Sequence, residues 1–341
     1  MAELRWHPLT KDWVMIASNR QNRPNMPKDY CPFCPSFGNV PDYEVLKYDN
    51  DFPALSQNPP EPDDVADDFF KVRPSYGKCE VILYSPGHTV TLPELSDEHM
   101  QKLVALWCER YEAMRADEKI KYVFPFENRG ALVGVSMPHP HGQIYGYSYV
   151  PKKLELEAQS AHEHYEQTGK CIFCDMLEHE LAAEKRIIFR NEYFTVFLPF
   201  FCEYPYGVYI FPNRHVPYMT DLNEEERFAL GVTIRDTVAM FDNLFDYQFP
   251  YMMCMHNAPV NTGDYSKDYH FHIEFFPPMR SADKQKFNAS SETGGALQPA
   301  RAGGILGGDA PGISKNAAQT GRKIIFRFLY GAESVSQSEN F

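Results

Sequence analysis

The run His139-Pro-His141-Gly-Gln143 contains the side chains best suited to chemistry in this chain of 341 residues. In an extended segment alternate residues point to one face, so the two histidines and the glutamine would lie side by side. An imidazole is largely unprotonated at neutral pH and can attack phosphorus. An amide can donate a hydrogen bond to a phosphoryl oxygen without giving a proton to a leaving group. The run therefore predicts that His141 is a nucleophile that forms a phosphoryl adduct and that Gln143 stabilises it.

The small residues in this run indicate how it sits in a sheet. Pro140 lacks a backbone N–H and Gly142 lacks a side chain, which is typical of an edge strand beside a bound ligand. The corresponding run in the second half of the chain is His270-Phe-His272-Ile-Glu274. Because the carboxylate of Glu274 would repel a phosphate, we expect only the first run to be catalytic.

Two Cys-x-x-Cys pairs form a second group of reactive side chains. Redox motifs and core cysteines share this spacing. Here, however, each pair is followed by histidines at corresponding positions of the two halves of the chain. Zn²⁺ prefers four such ligands in a tetrahedron, and four protein ligands are typical of a structural site. Two zinc sites are therefore predicted. The first comprises Cys31, Cys34, His88 and His139, and the second comprises Cys171, Cys174, His215 and His270.

The order of these groups reveals an internal repeat that must position them. In each half an apolar run precedes the first histidine, at residues 81–84 and 208–211, and both runs are typical of strands. A helix is predicted next, with the N-cap candidates Ser96 and Asn223 followed by apolar residues at helical spacing. Strands, one long helix and further strands predict an α+β unit that is duplicated in tandem.

The repeat divides the chain into two halves and a tail. We expect an N-terminal half over residues 1–165, with the catalytic motif and the first zinc site, and a C-terminal half over residues 166–293. The proline-rich, acidic segment 53–68 is predicted to be a surface loop. Residues 294–341 begin with a glycine-rich stretch that has no apolar period, which is typical of a flexible tail.

The overall charge limits the range of partners. A net charge of −13 argues against a general nucleic-acid binder, because such proteins need a basic face. A few local arginines can still hold a phosphorylated small molecule. No segment approaches the ~20 apolar residues of a membrane-spanning helix, and the first residues do not resemble a secretory signal. We therefore expect a cytoplasmic enzyme that binds neither nucleic acid nor membrane.

The run SMPHPHGQIY, residues 136–145, resembles the active-site signature of the galactose-1-phosphate uridylyltransferase family, a branch of the histidine-triad superfamily. The similarity covers roughly residues 5–292. It implies two histidine-triad-like halves, each an antiparallel sheet with flanking helices. It also implies an activity in galactose metabolism: UDP-glucose and galactose 1-phosphate give glucose 1-phosphate and UDP-galactose, through a uridylyl group held on His141.

The same resemblance implies a set of substrate-binding residues and a homodimer. Residues like 286–292 reach into the site of a neighbouring subunit in the family. Phosphates would be held by Arg20, Arg23, Asn128 and Ser136, the nucleotide would be contacted by Asn50 and Asp51, and the hexose by Glu292. Lys286 would be a further substrate-binding residue of the segment that reaches the neighbouring subunit.

The resemblance leaves the second metal and the nucleotide open. Some family members bind a second metal through one glutamate and three histidines, which correspond here to Glu157, His256, His270 and His272. This set competes with the second cysteine set for His270, and the thiolates favour the cysteine set. The cysteine set resembles the branch that contains ADP-glucose phosphorylase, so an adenylyl transferase is the alternative activity. A non-catalytic, zinc-stabilised nucleotide-binding protein is a further alternative, although neither His141 nor Gln143 is needed to hold a metal.

Overall fold

A computed structural model describes residues 2–18 and 30–286 of the chain. These residues form twelve β-strands and four α-helices, with short 3₁₀ turns between some of them. The strands are β1 (Ala2–His7), β2 (Asp12–Ala17), β3 (Leu46–Asp49), β4 (Val72–Pro74), β5 (Gly77–Leu83), β6 (Tyr122–Arg129), β7 (His141–Tyr147), β8 (Ile187–Arg190), β9 (Phe194–Phe197), β10 (Val208–Pro212), β11 (Tyr251–His256) and β12 (His272–Phe276). The α-helices are α1 (Asp97–Arg115), α2 (Lys152–Thr168), α3 (Ile172–Ala183) and α4 (Glu224–Phe245).

A nine-stranded sheet organises the molecule. Its strand order is β3-β5-β7-β6-β11-β12-β10-β9-β8, and each neighbouring pair is antiparallel. A separate three-stranded sheet has the order β2-β1-β4. The predicted α+β class with an antiparallel sheet is therefore confirmed. None of the helices in the described part of the chain combines the length and the apolar composition that a membrane-spanning helix needs.

The duplication is visible in the strand order. In the first half β5, β7 and β6 lie side by side, and in the second half β10, β12 and β11 lie in the same relation. The two units meet where β6 pairs with β11, so they share one continuous sheet. The predicted boundary at residue 165 falls inside α2, and the predicted tail over residues 294–341 lies outside the described residues.

Both long helices begin where the sequence predicts. The Ser96 hydroxyl accepts a hydrogen bond from the His99 N–H at the start of α1, and Asn223 forms a capping box with Glu226 at the start of α4. α1 and α4 pack against each other, and they cover one face of the sheet. The predicted stripe of α1 is buried in this core, and it consists of Met100, Leu103, Trp107, Tyr111 and Met114.

A buried carboxyl group lies at the junction of the two halves. Glu127 on β6 accepts hydrogen bonds from the Tyr84 hydroxyl of the first half (3.1 Å) and from the Tyr251 hydroxyl of the second half (3.0 Å). Two residues further on, Arg129 forms a bidentate ion pair with Asp242 of α4, at 2.6 and 2.8 Å. Burial raises the pKa of Glu127 to about 7. The carboxyl group therefore titrates in the neutral range instead of near its usual value.

The raised pKa of Glu127 predicts a pH-dependent difference in stability. Because the native state holds this proton up to about pH 7, while an unfolded chain releases it near pH 4.3, the wild-type protein loses stability as the pH rises through that window. Gln at this position cannot titrate, so Glu127→Gln avoids this loss. The difference in free energy of unfolding, variant minus wild type, should therefore be larger at about pH 8 than at about pH 5, by up to about 3 kcal/mol. Denaturant unfolding of both proteins at the two pH values measures this gain, and parallel profiles would contradict it.

Candidate active site and metal clusters

The strand that carries the predicted nucleophile is an interior strand of the nine-stranded sheet. β7 pairs with β5 on one side and with β6 on the other, with Leu83 opposite His141 and Phe126 opposite Gln143. The sequence-based expectation of an edge strand is therefore wrong. Pro140 does not interrupt the pairing because it precedes the strand, where its carbonyl accepts a hydrogen bond from the Tyr84 N–H.

The glycine between the two candidate catalytic residues has a packing role. The helix-facing side of β7 lies against the Tyr84 ring, and a Cβ atom on Gly142 would overlap the Tyr84 hydroxyl. The same Cβ would lie 3.0 Å from Tyr84 Cζ and 3.2 Å from the Phe126 carbonyl oxygen. Gly142 therefore allows the buried tyrosine to approach the strand, and strand alternation sends His141 and Gln143 to the opposite face.

A cavity of about 350 Å³ opens at the start of β7. It is bounded by the loop after β5, the end of β6 and the segment that precedes β7. Three residues predicted from the sequence to act on substrate lie in its wall, namely His141, Asn128 and Ser136. The predicted metal ligands His88 and His139 line it too. Gln248, which follows α4, also contributes to the wall; it belongs to no motif, so the sequence pattern did not single it out.

The backbone fixes the tautomer of His141. Its Nδ1 lies 2.7 Å from the carbonyl oxygen of His139. Because a carbonyl oxygen only accepts hydrogen bonds, Nδ1 carries a proton in this contact, so in the neutral ring the lone pair is on Nε2. The ring also packs against Phe33, at a centroid distance of 5.9 Å. His141 thus lies in the cavity wall, and Nε2 is the atom of its neutral ring that can act as a nucleophile.

The first predicted metal site is assembled from three distant chain segments. Its four ligand atoms all lie within 4.8 Å of one another. The Sγ of Cys34 lies 3.4 Å from His88 Nδ1 and 3.5 Å from His139 Nδ1, and the Sγ of Cys31 lies 3.7 Å from the same His139 nitrogen. Burial lowers the pKa of His139 to about 4, so its ring is neutral at pH 7, as metal ligation requires.

A second set of contacts holds the His139 ring at Nε2, the nitrogen that does not face the cysteines. Its Nε2 lies 2.8 Å from the Ser85 carbonyl oxygen and 2.9 Å from the Tyr43 hydroxyl. The same hydroxyl donates to the Phe33 carbonyl oxygen at 2.8 Å. Outer contacts of this kind fix the orientation of a metal-binding histidine. Tyr43 was not predicted from the sequence, because a lone tyrosine between two motifs has no distinguishing spacing.

The second cysteine cluster repeats this geometry. Cys171 and Cys174 lie at the start of α3. They lie close to His215, which follows β10, and to His270, which precedes β12. The Sγ of Cys174 lies 3.4 Å from His215 Nδ1 and 3.4 Å from His270 Nδ1. All four ligand atoms again lie within 4.8 Å of one another. The structure thus contains two corresponding Cys/His clusters that could each hold a metal ion.

The alternative second metal site, predicted to contain one glutamate and three histidines, forms a cluster in the structure without His270. Glu157, His256 and His272 form a third cluster, and the Glu157 Oε2 lies 2.9 Å from His256 Nδ1. Glu274 adds a second carboxylate, 3.5 Å from His272 Nε2, and its charge is balanced by Lys153 at 2.8 Å. Although burial disfavours the charged ring, Glu157 and Glu274 raise the pKa of His256 to about 10. The two sets therefore coexist in the structure, with His270 turned towards the cysteines.

The remaining predicted substrate residues have different positions. Asn50 and Asp51 follow β3 at the edge of the sheet, where Asp51 accepts from the Tyr48 hydroxyl at 3.1 Å and Asn50 accepts from the Phe52 N–H. They do not belong to the cavity wall described above. Lys286 is buried at the end of the described region. Arg20, Arg23 and Glu292 lie outside the described residues.

Two family models together cover most of the chain. The description "Galactose-1-phosphate uridyl transferase, N-terminal domain" matches residues 1–151, and the corresponding C-terminal domain matches residues 155–296. The chain belongs to the galactose-1-phosphate uridyl transferase family. The resemblance inferred from the active-site run is thereby confirmed.

Individual relatives agree with this assignment. A galactose-1-phosphate uridylyltransferase of Thermotoga maritima is 39% identical over 296 residues, which cover 86% of this chain and 92% of that protein. The Haemophilus influenzae protein of the same name is 32% identical and covers 86% of this chain and 89% of its own. A solved uridylyltransferase structure superposes with a TM-score of 0.79 at 32% identity, covering 87% of this chain and 93% of its own. An ADP-glucose phosphorylase of Arabidopsis thaliana shares the fold. Its structure superposes with a TM-score of 0.65 at 22% identity, covering 86% of this chain and 93% of its own.

The close approach of Tyr84 predicts the effect of a side chain at position 142. Gly142→Ala should lower the free energy of unfolding by about 1–3 kcal/mol, because the added methyl group forces the strand or the buried ring to move. Gly263→Ala is the matched control, since its Cβ would meet nothing closer than 3.8 Å and should change stability by less than about 0.5 kcal/mol. Denaturant unfolding measures both changes, and equal stabilities of the two variants would show that the strand accommodates the methyl group.

Proposed function

We propose that this chain transfers a uridylyl group between UDP-glucose and galactose 1-phosphate, giving glucose 1-phosphate and UDP-galactose through a covalent uridylyl-histidine at His141. The observation that carries the proposal is the contact between His141 Nδ1 and the His139 carbonyl oxygen, because it leaves Nε2 as the nucleophile in the cavity wall. Relatives named galactose-1-phosphate uridylyltransferase, up to 39% identical, support the substrate pair.

The reaction divides into two balanced displacements. In the first, the Nε2 lone pair forms a bond to the α-phosphorus of UDP-glucose while the bond from that phosphorus to glucose 1-phosphate breaks. In the second, a phosphate oxygen of galactose 1-phosphate attacks the same phosphorus and the bond to Nε2 breaks. Neither step consumes a proton, because the leaving group in each case is a phosphate or a neutral imidazole. A general acid is therefore not required.

Neutral hydrogen-bond donors suit this chemistry. We assign the Gln143 amide to the phosphoryl oxygens during transfer, and we assign Asn128 and Ser136 in the cavity wall to the phosphates of the substrate. Because an amide offers no ready proton and accepts none, it does not help water to attack the adduct. The uridylyl group should consequently remain on His141 until a second sugar phosphate arrives.

Enzyme mixed with UDP-glucose alone should release about one equivalent of glucose 1-phosphate per active site and then stop. Mass spectrometry should find a uridylyl group on the peptide that contains His141, and galactose 1-phosphate should discharge it as UDP-galactose. His141→Ala should abolish the burst. His179→Ala is the matched control, since this exposed histidine of α3 is remote from the motif in sequence and should keep the full burst.

The outcomes separate the competing activities. A label that forms with ADP-glucose but not with UDP-glucose would replace the uridylyl transferase by an adenylyl transferase. A label on another residue, or none with either nucleotide sugar, would remove His141 as the nucleophile.

We also propose that the two cysteine clusters bind zinc. Bond lengths of about 2.3 Å to sulfur and about 2.0–2.1 Å to nitrogen place tetrahedral S and N ligands about 3.5 Å apart. The five sulfur–nitrogen contacts described above, three in the first cluster and two in the second, are 3.4–3.7 Å long. Four protein ligands leave no position for a reacting water, so zinc would stabilise the fold around the cavity. The homodimer and the cytoplasmic location implied by the sequence stay predictions.

Purified protein should contain about two zinc ions per chain. Cys31→Ser and Cys171→Ser should each remove about one equivalent and lower the melting temperature, because metal-binding free energy at such sites is also folding free energy. Cys108→Ser is the control, since Cys108 is buried outside both clusters and should keep the full zinc content. Loss of zinc from only one of the two cysteine variants would limit the proposal to that cluster, and a third equivalent would point to Glu157, His256 and His272.

A further inference from the structure

The Gln143 amide has two chemically opposite ends. Its Oε1 accepts hydrogen bonds, and its Nε2 carries two donors. Only the Nε2 end stabilises the negative charge that grows on phosphoryl oxygens during transfer. A half-turn of the amide about its last side-chain bond exchanges the two ends while the shape of the group stays almost the same. A contact that recognises one end is therefore needed to keep the donors directed at the substrate.

Tyr145 makes such a contact. Its hydroxyl lies 3.0 Å from Gln143 Oε1, and the two residues are separated by one position on the same face of β7. The phenol proton can be donated to the amide oxygen, and the –NH₂ group is then left for other acceptors. His141 is the next residue on the same face, towards the start of the strand.

The ring that carries this hydroxyl is held firmly. Tyr145 is 6% exposed, and it packs in a small apolar cluster with Leu55 and Cys79. Phe126 of the neighbouring strand meets it edge to face, with a centroid distance of 5.0 Å and an interplanar angle of 83°. Because the ring cannot turn away without losing this packing, the position of its hydroxyl is set by the core of the sheet rather than by the ligand.

We propose that Tyr145 is a positioning residue for uridylyl transfer: its hydroxyl holds Gln143 Oε1, so that Nε2 is directed to the phosphoryl group. The inference rests on the proposed function, and specifically on the role assigned there to Gln143. Without the hydroxyl, the amide samples both orientations, and in one of them a carbonyl oxygen faces phosphoryl oxygens and repels them. The transition state is affected more than the bound substrate, because the charge on those oxygens is greatest during transfer.

The test removes the hydroxyl and keeps the ring. Tyr145→Phe should slow the first half-reaction, the release of glucose 1-phosphate from UDP-glucose, by about ten-fold, the factor expected for one net hydrogen bond. KM for UDP-glucose should change little, because the effect lies in the transition state. Tyr147→Phe is the matched control: its ring lies on the same face, 6.2 Å from that of Tyr145, and the rate should be unchanged.

A double-mutant cycle separates positioning from a general structural effect. Gln143→Ala alone should cost about 10²–10³ in the same rate. Adding Tyr145→Phe to Gln143→Ala should cost nothing more, because there is no longer an amide to orient. Melting temperatures of all four proteins verify that each variant is folded.

The rates of the variants distinguish the role of Gln143 from that of Tyr145. If Gln143→Ala leaves the rate unchanged, the role of Gln143 in the proposed function fails and the role of Tyr145 fails with it. If Gln143→Ala is slow but Tyr145→Phe is not, or if the two effects multiply, Gln143 keeps its role and only the Tyr145 inference is overturned. A faster Tyr145→Phe enzyme would show that the hydroxyl holds Nε2 instead of Oε1.

Discussion

The His139 side chain and backbone connect the parts of the site to one another. Its Nδ1 faces the two cysteines of the first cluster, its Nε2 faces the Ser85 carbonyl oxygen and the Tyr43 hydroxyl, and its own carbonyl oxygen accepts from His141. One residue thus joins the segment around residue 31, the loop after β5 and the start of β7. The orientation of the proposed nucleophile depends on this junction, because a shift of the His139 backbone would change the tautomer as well as the position of the neighbouring imidazole.

The two halves use one scaffold for different purposes. β7 and β12 occupy corresponding places, and each is preceded by a histidine that turns towards a cysteine pair. On β7 the next positions hold His141 and Gln143, whereas on β12 they hold His272 and Glu274. The carboxylate on β12 is buried and paired with Lys153, so this face is occupied by internal ion pairs rather than opened to an anionic ligand. The difference at one position, an amide against a carboxylate, accounts for much of this divergence.

Sequence reasoning succeeded where the signal is local or repeated. The caps at Ser96 and Asn223 depend on side chains a few residues apart, and the Cys/His clusters could be found because each half repeats the other. The edge-strand expectation for β7 was wrong because strand order is set by pairings between distant segments, which a proline and a glycine do not specify. The contacts of Tyr43 and Tyr145, and the place of Gln248 in the cavity wall, arise only once the sheet has formed, so the sequence carried no sign of them.

The pairing of β6 with β11 covers a strand edge of each half of the chain. If the chain were cut between its halves, each unit would end in a strand whose N–H and C=O groups have lost their partners. Such an edge pairs readily with another copy, so an isolated half would be prone to self-association. In the intact chain the two edges are tethered and meet at a high effective concentration. Fusion of the repeats therefore turns a contact that would depend on protein concentration into a permanent internal one, and it allows the corresponding faces of β7 and β12 to diverge.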